Sequence, residues 1–587
     1  MSKQVSSLNQ PASHTDSSGV SEPLSAKRTD WAGLGWLYLF FWYFSGVMQT
    51  LLIPSNGIEG FRCAFFMSFM WFAPVLLFPR YTKQICAVIG IILWAVSITS
   101  LSYWYIYGSE FSQSTLFIIF ETTAQESQEY ISQYITFPLV LGTILYTTVA
   151  YFLYKRLRPV RLSRPYAIGF AFAVLLLNLG EPHFKYLTGR TTFESATNKL
   201  LRRMEPAAPW QFLMSYIQYK VQLSNVRTFL KNNSSLPPLG NLIDRSGDTP
   251  RTVVLVIGES TTRRRMSLYG YPRKTTPKLD ALKEKGDLFV FNDVITPRPY
   301  TFEVLKLALS FASQEEEGRY LTEPNMMNLM NQAGYKMFWI TNQQVLREGN
   351  ALQTSFSQQA NAAKYLNNNR LQNASLPDQV VFEPFSEVLL DPAPKKFIVL
   401  HLLGTHAKYS LRYTEEYDVF TGRDHVPENL SDSQAERFNS YDNAVLYNDF
   451  VVSSLIDIFS KSQQNGFLVY FSDHGEEVFN DPKHEILGRN EYHPTLDMYA
   501  VPFMLWMTPE WKKTHSLNLG SMRDRPYSNE HFIHTLSDLA GLSYDRFRPE
   551  MSLVNSGFKP HTRWIGNPKS KSGLHDFDAI ELNKPLP

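Results

Sequence analysis

The pattern of apolar residues divides the chain into two parts. The N-terminal part has long apolar stretches, and the C-terminal part has short apolar runs that alternate with amphipathic segments. A helix needs about 20 mostly apolar residues to cross a bilayer. We predict five membrane-spanning helices, of which the second and fifth are short: Trp31–Ile53, Cys63–Phe78, Ile85–Tyr107, Phe137–Tyr154 and Tyr166–Leu179. Residues 1–30 are polar and rich in Ser and Gln, which is typical of a disordered segment.

The charges between these stretches predict their orientation. Lys and Arg precede the first stretch and occur in the connections 79–84 and 155–165, whereas the connections 54–61 and 108–134 contain neither. Basic connections stay in the cytoplasm, so the N-terminus is predicted to be cytoplasmic. Five spans then place everything after about residue 182 outside. Four spans would place it in the cytoplasm, and the charges of the connections favour five.

Residues 183–247 form a polar bridge, and residues 248–587 show an α/β pattern. The predicted strands are Val253–Ile257, Lys336–Ile340, Phe397–Leu402, Phe467–Phe471 and Val501–Trp506. The predicted helices are Pro277–Lys285, Phe302–Phe311, Pro324–Ala333, Asp442–Ser462 and Asn529–Leu539. Unbroken apolar strands that alternate with helices indicate a buried, mostly parallel sheet. The chain is therefore predicted to have a disordered cytoplasmic segment (1–30), a membrane domain (31–182), an exported bridge (183–247) and an exported α/β domain (248–587).

Cysteine content and net charge exclude some functions. Cys63 and Cys86 are the only cysteines, and both fall in or beside predicted membrane helices. The α/β domain therefore has no disulfide bond and no cysteine nucleophile. The net charge of +2 lacks the basic excess of a nucleic-acid-binding protein, and we predict no nucleic-acid partner. The run Arg263–Arg265 is more typical of a solvated face than of an anion site.

Metal-ligating residue types directly follow two of the predicted strands. Glu259 comes after one strand, and Asp473 and His474 come after another. Because the carboxyl ends of parallel strands meet at one edge of a sheet, we expect these side chains to lie together. Zinc accepts carboxylate and imidazole ligands, and three protein ligands leave a position for a nucleophile or substrate. The alternative is that Asp473 caps the next segment and His474 is a satisfied polar residue.

Four further histidines lie near the same predicted edge. His401 is inside an apolar run, so we expect a buried structural residue. His406 follows that run and is the better candidate for acid–base chemistry or phosphate binding. His484 and His493 lie in the loop after Asp473, within its reach.

Three motifs in combination resemble the signature of bacterial inner-membrane phosphoethanolamine transferases, which belong to the alkaline phosphatase-like superfamily. They are Gly258-Glu259-Ser260 with Ser267–Arg273, Gly404-Thr405-His406, and Ser472-Asp473-His474-Gly475-Glu476. The resemblance covers residues 31–570. Segments 203–212 and 339–344 are similar in particular to the branch that modifies the phosphorylated heptose of the lipopolysaccharide core. This family implies five membrane helices and a periplasmic, alkaline phosphatase/sulfatase-like α/β domain with a mostly parallel central sheet.

The resemblance also implies a threonine nucleophile at the start of a helix. Thr301 lies 42 residues after Glu259 and opens a predicted helix, and Thr296 is the second candidate. A helix N-terminus offers N–H donors to a phosphoryl oxygen. An N-cap role for Thr301 is compatible with this function.

Ligand and substrate contacts are likewise implied by the resemblance. Zn²⁺ would be held by Glu259, Thr301, Asp473 and His474. His406 and His484 would bind the phosphoethanolamine group or a second metal ion. Gln343 and Arg347 stand where lipid A-modifying members have Asn and Lys near the substrate phosphate.

The implied activity is transfer of phosphoethanolamine from phosphatidylethanolamine to lipopolysaccharide, with core heptose phosphate as the acceptor and a covalent phosphoethanolamine-threonine intermediate. The alternatives are transfer to lipid A, transfer of glycerophosphate, hydrolysis by a membrane-anchored phosphodiesterase or sulfatase, and a sensor that binds phosphoesters without turnover. A sulfatase needs Cys or Ser in a C/S-x-P-x-R context, which the segment 296–299 does not match. The lipid A branch typically has disulfide bonds, which this chain lacks.

Overall fold

The structure, a computed structural model, covers most of the membrane part and nearly all of the α/β domain. The described ranges, apart from isolated residues between them, are 30–56, 58–107, 134–160, 162–176, 206–213, 236–344, 355–367, 376–491, 493–515, 519–568 and 573–580. The predicted disordered segment and Arg347 lie outside the described residues.

Within these ranges the apolar stretches are helical. The helices are Trp31–Asn56, Ile58–Met67, Phe72–Leu77, Thr82–Tyr107, Phe137–Arg156 and Arg164–Leu175. Four spans are long and apolar enough to cross a membrane, and they match the first four predicted spans: Trp31–Ile53, Gly60–Leu77, Pro79–Ile106 and Phe137–Arg156. The described helix of the fifth span has 12 residues, about 18 Å against a hydrocarbon core of about 30 Å. The fifth span therefore stays a prediction.

Aromatic side chains pack the membrane helices together. Phe40, Phe41 and Phe44 of the first helix are buried in one cluster with Phe72. Part of the predicted bridge packs against the same helices, because Trp210 stacks on Trp71 with ring centroids 5.6 Å apart. The assignment of residues 183–247 to a separate exported bridge stays a prediction.

The α/β domain is built on a seven-stranded sheet. Its strands, numbered along the chain, are β1 (Arg251–Gly258), β2 (Leu288–Phe291), β3 (Lys336–Gln344), β4 (Ala362–Asn367), β5 (Lys395–His401), β6 (Gly466–Ser472) and β7 (Phe503–Met507), in the spatial order β2-β7-β6-β1-β5-β3-β4. β1 pairs in parallel with β5 and β6, whereas β7 is antiparallel to β6 and β2. The prediction of a mostly parallel sheet is confirmed.

Each face of the sheet is covered by an apolar layer. Alternate residues of a strand point to opposite faces, so Val253, Leu255 and Ile257 of β1 enter one core cluster. Val254 and Val256 enter the other, which the long helix Asp432–Lys461 covers. The complete burial of β1 explains its unbroken apolar sequence.

Further helices and short strands surround the sheet. The remaining helices are Pro277–Glu284, Thr301–Ala308, Met326–Gln332, Phe382–Leu389, Leu496–Tyr499, Pro509–Thr514 and Phe532–Leu539. The short strands are Ile243–Asp244, Val294–Ile295, Glu477–Val478, Leu487–Gly488, Tyr527–Ser528, Leu542–Ser543, Trp564–Asn567 and Gly573–Asp576. All five predicted helices are present. The long helix begins ten residues before the predicted Asp442, after a capping box in which Ser431 and Gln434 satisfy each other's backbone N–H groups.

Candidate active site

The ends of β1 and β6 bring three metal-ligating side chains together. Gly258 pairs with Ser472 across the two strands, so Glu259 and Asp473 leave the sheet side by side. His474 Nε2 lies 3.0 Å from Glu259 Oε1 and 3.4 Å from Asp473 Oδ2. Ligand atoms of all three residues lie within 4.8 Å of one another, and all three side chains are buried. This arrangement can hold a metal ion.

Thr301 is the first residue of helix Thr301–Ala308 and reaches the same point. Its Oγ1 donates a hydrogen bond to Glu259 Oε2 at 2.9 Å and lies 3.4 Å from His474 Nε2. Thr296, the second candidate, is buried and donates to the carbonyl of Arg298 instead. Of the two threonines, Thr301 is the one in contact with Glu259 and His474. Together with Asp473 these are called the metal-ligand residues below.

Backbone contacts fix the His474 ring. Its Nδ1 lies 2.9 Å from the carbonyl oxygen of Gly475. A proton on Nδ1 satisfies this contact and leaves the Nε2 lone pair facing Glu259 and Asp473, which is the tautomer that a metal ligand needs. Burial lowers the pKa of His474, and nearby Arg489 lowers it further, so the ring is neutral.

The two buried carboxylates favour a bound cation. Burial raises the pKa of Asp473, and the neighbouring charge of Glu259 raises it further. Asp473 Oδ2 is buried and has no hydrogen-bond partner among the residues that the structure describes. Two like charges in a dry site are costly unless a cation offsets them, so this pair suits a divalent metal ion.

A second layer of hydrogen bonds holds the carboxylates. The Ser260 hydroxyl donates to Glu259 Oε1 at 2.9 Å, and its N–H donates to Asp473 Oδ1 at 3.2 Å. Ser260 adopts a left-handed backbone conformation with φ +60°. The Tyr441 hydroxyl donates to the Ser260 carbonyl at 2.8 Å, so the long helix supports the turn that carries Glu259.

His401 and His406 have different environments. His401 is buried, as predicted, and burial lowers its pKa to about 4. The pKa of His406 is influenced by the charges of Glu259, Arg412, Arg489 and His474. Burial of the ring lowers its pKa to about 3, so its imidazole is neutral at physiological pH.

The remaining predicted substrate contacts differ in position. The Gln343 side-chain amide donates to Glu259 Oε2 at 3.3 Å and to the carbonyl of Leu402 at 2.7 Å, so it borders the site. His484 Nδ1 lies 2.6 Å from the carbonyl of Phe479, and no contact of His484 with the metal-ligand residues occurs in the described structure. Its substrate role, like that of Arg347, stays a prediction.

Three side chains at the site were not predicted. Arg489 Nη1 lies 2.5 Å from His474 Nε2 and 3.8 Å from Glu259 Oε1. Arg489 Nε pairs with Glu476 Oε2 at 3.0 Å, and the Tyr409 hydroxyl donates to Glu476 Oε1 at 3.0 Å. Glu476 could have been predicted from its place in the Asp-His-Gly-Glu motif. Arg489 follows a short hairpin in an irregular loop, where no periodicity indicates its direction.

The arginines of the run Arg263–Arg265 lie near acidic side chains, and of the three Arg264 is the most exposed. Arg265 is fully buried and pairs with Asp442 of the long helix. Arg264 pairs with the buried Asp497, and Arg263 lies 3.6 Å from Asp293. The expectation of a solvated face is therefore wrong for Arg265, because Asp442 compensates its charge inside the domain.

Comparisons with known proteins agree with this geometry. Residues 251–542 match the sulfatase family model, which defines the α/β domain as sulfatase-like. The chain is 51% identical to the phosphoethanolamine transferase EptC of Escherichia coli over 94% of this chain and 96% of that protein. It is 50% identical to the phosphoethanolamine transferase CptA of Salmonella typhimurium over the same shares. The chain belongs to the phosphoethanolamine transferase family, as its motifs predicted.

Solved structures show the same architecture. The periplasmic domain of E. coli EptC in complex with Zn is 55% identical, with a TM-score of 0.58, and the match covers 60% of this chain and 99% of that one. The integral membrane protein lipooligosaccharide phosphoethanolamine transferase A from Neisseria meningitidis matches 90% of this chain and 99% of its own, with a TM-score of 0.63 at 22% identity. The latter shows a common fold that includes the membrane part.

Proposed function

We propose that this protein transfers phosphoethanolamine from phosphatidylethanolamine to lipopolysaccharide, with core heptose phosphate as the acceptor. The observation that carries the proposal is the Thr301 hydroxyl, which lies at a helix N-terminus and within 3.4 Å of both Glu259 and His474. A hydroxyl needs activation to attack phosphorus, and this position supplies a carboxylate acceptor for its proton and helix N–H donors for a phosphoryl oxygen.

The metal ion of the site is proposed to be zinc, held by Glu259, Thr301, Asp473 and His474. The donor set fits zinc because it combines two carboxylates with a neutral imidazole. Two observations support this assignment: Asp473 Oδ2 has no hydrogen-bond partner within the described ranges, and His474 Nε2 faces Glu259 and Asp473. When bound, zinc would lower the pKa of a coordinated hydroxyl and offset charge on phosphoryl oxygens.

In the first step, Thr301 Oγ1 attacks the phosphorus of phosphatidylethanolamine. A bond from Oγ1 to phosphorus forms, and the bond from phosphorus to the diacylglycerol oxygen breaks. The proton that Thr301 releases passes to Glu259 Oε2, which already accepts its hydrogen bond, and His406 is assigned to relay that proton to the diacylglycerol oxygen. Diacylglycerol leaves, and phosphoethanolamine remains covalently bound to Thr301.

In the second step, an oxygen of the heptose phosphate forms a bond to the same phosphorus, and the bond from phosphorus to Thr301 Oγ1 breaks. The proton that the attacking phosphate oxygen releases passes to Oγ1 and restores the Thr301 hydroxyl. Gln343 borders the site beside Glu259 and is assigned to the substrate phosphate together with Arg347. His406 and His484 are assigned to the phosphoethanolamine group, with a second metal ion as the alternative occupant of these histidines.

The protein is proposed to lie in the bacterial inner membrane with its N-terminus in the cytoplasm and its α/β domain in the periplasm. Tyr134, which precedes the fourth membrane helix, packs against the core of the α/β domain. The connection 108–134 contains no Lys or Arg, as expected outside the cytoplasm. The contact of Tyr134 supports placing the domain on the same side. A lipid donor and a lipid-anchored acceptor would then meet the site in one leaflet, which raises their effective concentration.

The test is peptide mass mapping of the zinc-loaded, full-length protein in detergent, incubated with phosphatidylethanolamine and no acceptor. We expect a phosphoethanolamine adduct on Thr301 together with released diacylglycerol, and no adduct in Thr301→Ala. Thr296→Ala is the control and should keep the Thr301 adduct. An adduct on Thr296 would identify Thr296 as the nucleophile. Release of ethanolamine phosphate without any adduct would indicate a hydrolase.

A further inference from the structure

We infer that Arg489 binds the phosphoryl oxygens of the substrate beside Thr301, an inference that rests on the proposed function. Arg489 lies in the loop after the short hairpin of Glu477–Val478 and Leu487–Gly488. It is not one of the residues that the family motifs assign to the site. The inference about Arg489 rests on the geometry of its guanidinium group and on the charge of the site.

The Arg489 guanidinium is held firmly at one end and open at the other. Nε pairs with the buried Glu476, whose other oxygen accepts from Tyr409. Nη1 contacts His474 Nε2 and points toward Glu259. Nη2 has no protein partner in the described part of the chain, and the side chain is 17% exposed. An anion beside the metal-ligand residues could therefore be reached by Nη2, and also by Nη1 when His474 Nε2 binds the metal ion instead.

The charge of the site favours a guanidinium donor here, although Glu476 already offsets part of the Arg489 charge. Glu259 and Asp473 together offset the charge of one divalent metal ion. No net positive charge then remains to stabilise a phosphodiester or the further negative charge that develops during transfer. Catalytic phosphoryl sites meet this charge with Arg or Lys side chains. Arginine is suited to the task because its planar fork can bind two phosphate oxygens at once.

Other basic side chains near the site are engaged elsewhere. Lys306 is buried and pairs with Glu303 and Glu317. Arg412 is buried and donates to the carbonyls of His406 and Ala407. Among the Lys and Arg residues that the structure describes, Arg489 is the one in contact with the metal-ligand residues.

The experiment compares four full-length proteins in detergent: the parent, Arg489→Gln, Arg489→Lys and the control Arg319→Gln. Arg319 also bridges two glutamates, Glu316 and Glu323, and is 30% exposed. Binding of inorganic phosphate and of O-phosphoethanolamine to the zinc-loaded proteins is measured by calorimetry. Zinc affinity is measured separately by competition with a chromophoric chelator.

We expect Arg489→Gln to weaken binding of both phosphates by about tenfold or more, because charge-assisted hydrogen bonds are lost. Arg489→Lys keeps a charge but not the fork, so a loss of about threefold is expected. Zinc affinity should stay within about threefold in all four proteins, since Arg489 is not a ligand. Arg319→Gln should equal the parent throughout.

Equal phosphate binding by Arg489→Gln and Arg319→Gln would overturn the inference. So would a loss of zinc affinity in Arg489→Gln that matches its loss of phosphate binding, because Arg489 would then only support the ligands. Should Arg489→Gln fail to fold, Arg489→Lys with parental phosphate binding overturns it as well.

The Thr301 adduct separates this inference from the proposed function. Adduct formation at the parental rate in Arg489→Gln refutes the inference alone. If the parent forms no adduct while Arg489→Gln still loses phosphate binding, the proposed function fails and Arg489 remains an anion-binding residue.

Discussion

At the scale of single residues, the site depends on a close backbone approach at Gly475. A Cβ atom on Gly475 would lie 1.9 Å from the carbonyl oxygen of Asp497, and the Gly475 carbonyl also holds the His474 ring. We predict that Gly475→Ala lowers the free energy of unfolding by about 1–3 kcal/mol, the usual cost of overpacking. It should also weaken zinc binding, because the ring must shift.

The matched control for this change is Gly422→Ala. A Cβ atom on Gly422 meets nothing within 4 Å, so this variant should unfold and bind zinc like the parent. Denaturant titration and chelator competition on both variants give the comparison. Parental zinc affinity in Gly475→Ala would show that the contact with Asp497 does not position His474.

Buried histidines predict a loss of stability in acid. Burial lowers the pKa of His534 to about 3, below its ordinary value. In the unfolded chain the ring binds a proton at a pH at which the native ring stays neutral. The free energy of unfolding therefore falls as pH drops below about 6.5. Between about pH 6.5 and about pH 5.5, His534 alone should cost about 1 kcal/mol.

The variant His534→Asn tests this contribution. The Asn oxygen can accept from the Arg548 N–H as His534 Nδ1 does, but it does not titrate. The difference in unfolding free energy between parent and variant should therefore shrink on acidification. The control, His425→Asn, makes the same exchange at a side chain that is 48% exposed. A parallel profile for His534→Asn would contradict the prediction.

Three site residues, Glu259, Asp473 and His474, could be predicted from the sequence pattern because they directly follow unbroken apolar runs. Thr301 was implied by the resemblance to the transferase family, and it opens helix Thr301–Ala308. Arg489 could not be predicted in this way. It lies in a loop whose course depends on tertiary contacts, including the pair with Glu476.

At the scale of elements, the long helix Asp432–Lys461 anchors the turn that follows β1. Asp442 lies inside this helix and accepts hydrogen bonds from Arg265, Arg273 and Tyr271. Arg265 also packs 3.6 Å over the Phe438 ring. The segment Ser267–Arg273, first noted as a motif, therefore attaches the chain that follows Glu259 to the long helix. We call this set of contacts the clamp.

We predict that Asp442→Asn destabilises the protein by about 3–5 kcal/mol, because it leaves buried arginine charge uncompensated. On the same helix, Asp457 forms an exposed pair with Lys461, and Asp457→Asn should cost less than about 1 kcal/mol. Denaturant titration of both variants measures the difference. Equal effects would mean that the clamp contributes little to stability.

Strands were predictable in the middle of the sheet and not at its edges. β1, β5 and β6 are buried on both faces and read as continuous apolar runs. β4 lies at one edge, and its first residues are exposed, so its sequence, Ala362 to Asn367, has no apolar run. β2, at the other edge, has four residues, too few for a periodicity to stand out.

At the scale of the whole molecule, the membrane part and the α/β domain are in direct contact. Tyr134 packs against the core cluster under the long helix and interacts with Tyr409, whose hydroxyl bonds to Glu476. The contact joins Tyr134, at the end of the connection that is predicted to lie outside, to the rim of the candidate active site. This contact is compatible with an odd number of spans. An even number would place the connection 108–134 and the α/β domain on opposite sides of the membrane.

Cysteine accessibility tests the five-span prediction. In a background that lacks Cys63 and Cys86, both in the membrane part, single cysteines replace two exposed serines: Ser163, before the helix Arg164–Leu175, and Ser460, near the end of the long helix. With five spans, a membrane-impermeant maleimide should label Ser460→Cys in intact spheroplasts. It should label Ser163→Cys only after lysis, because the connection rich in Lys and Arg lies in the cytoplasm. Protection of Ser460→Cys until lysis would mean that helix Arg164–Leu175 does not belong to a span. The α/β domain would then face the cytoplasm, away from a periplasmic acceptor.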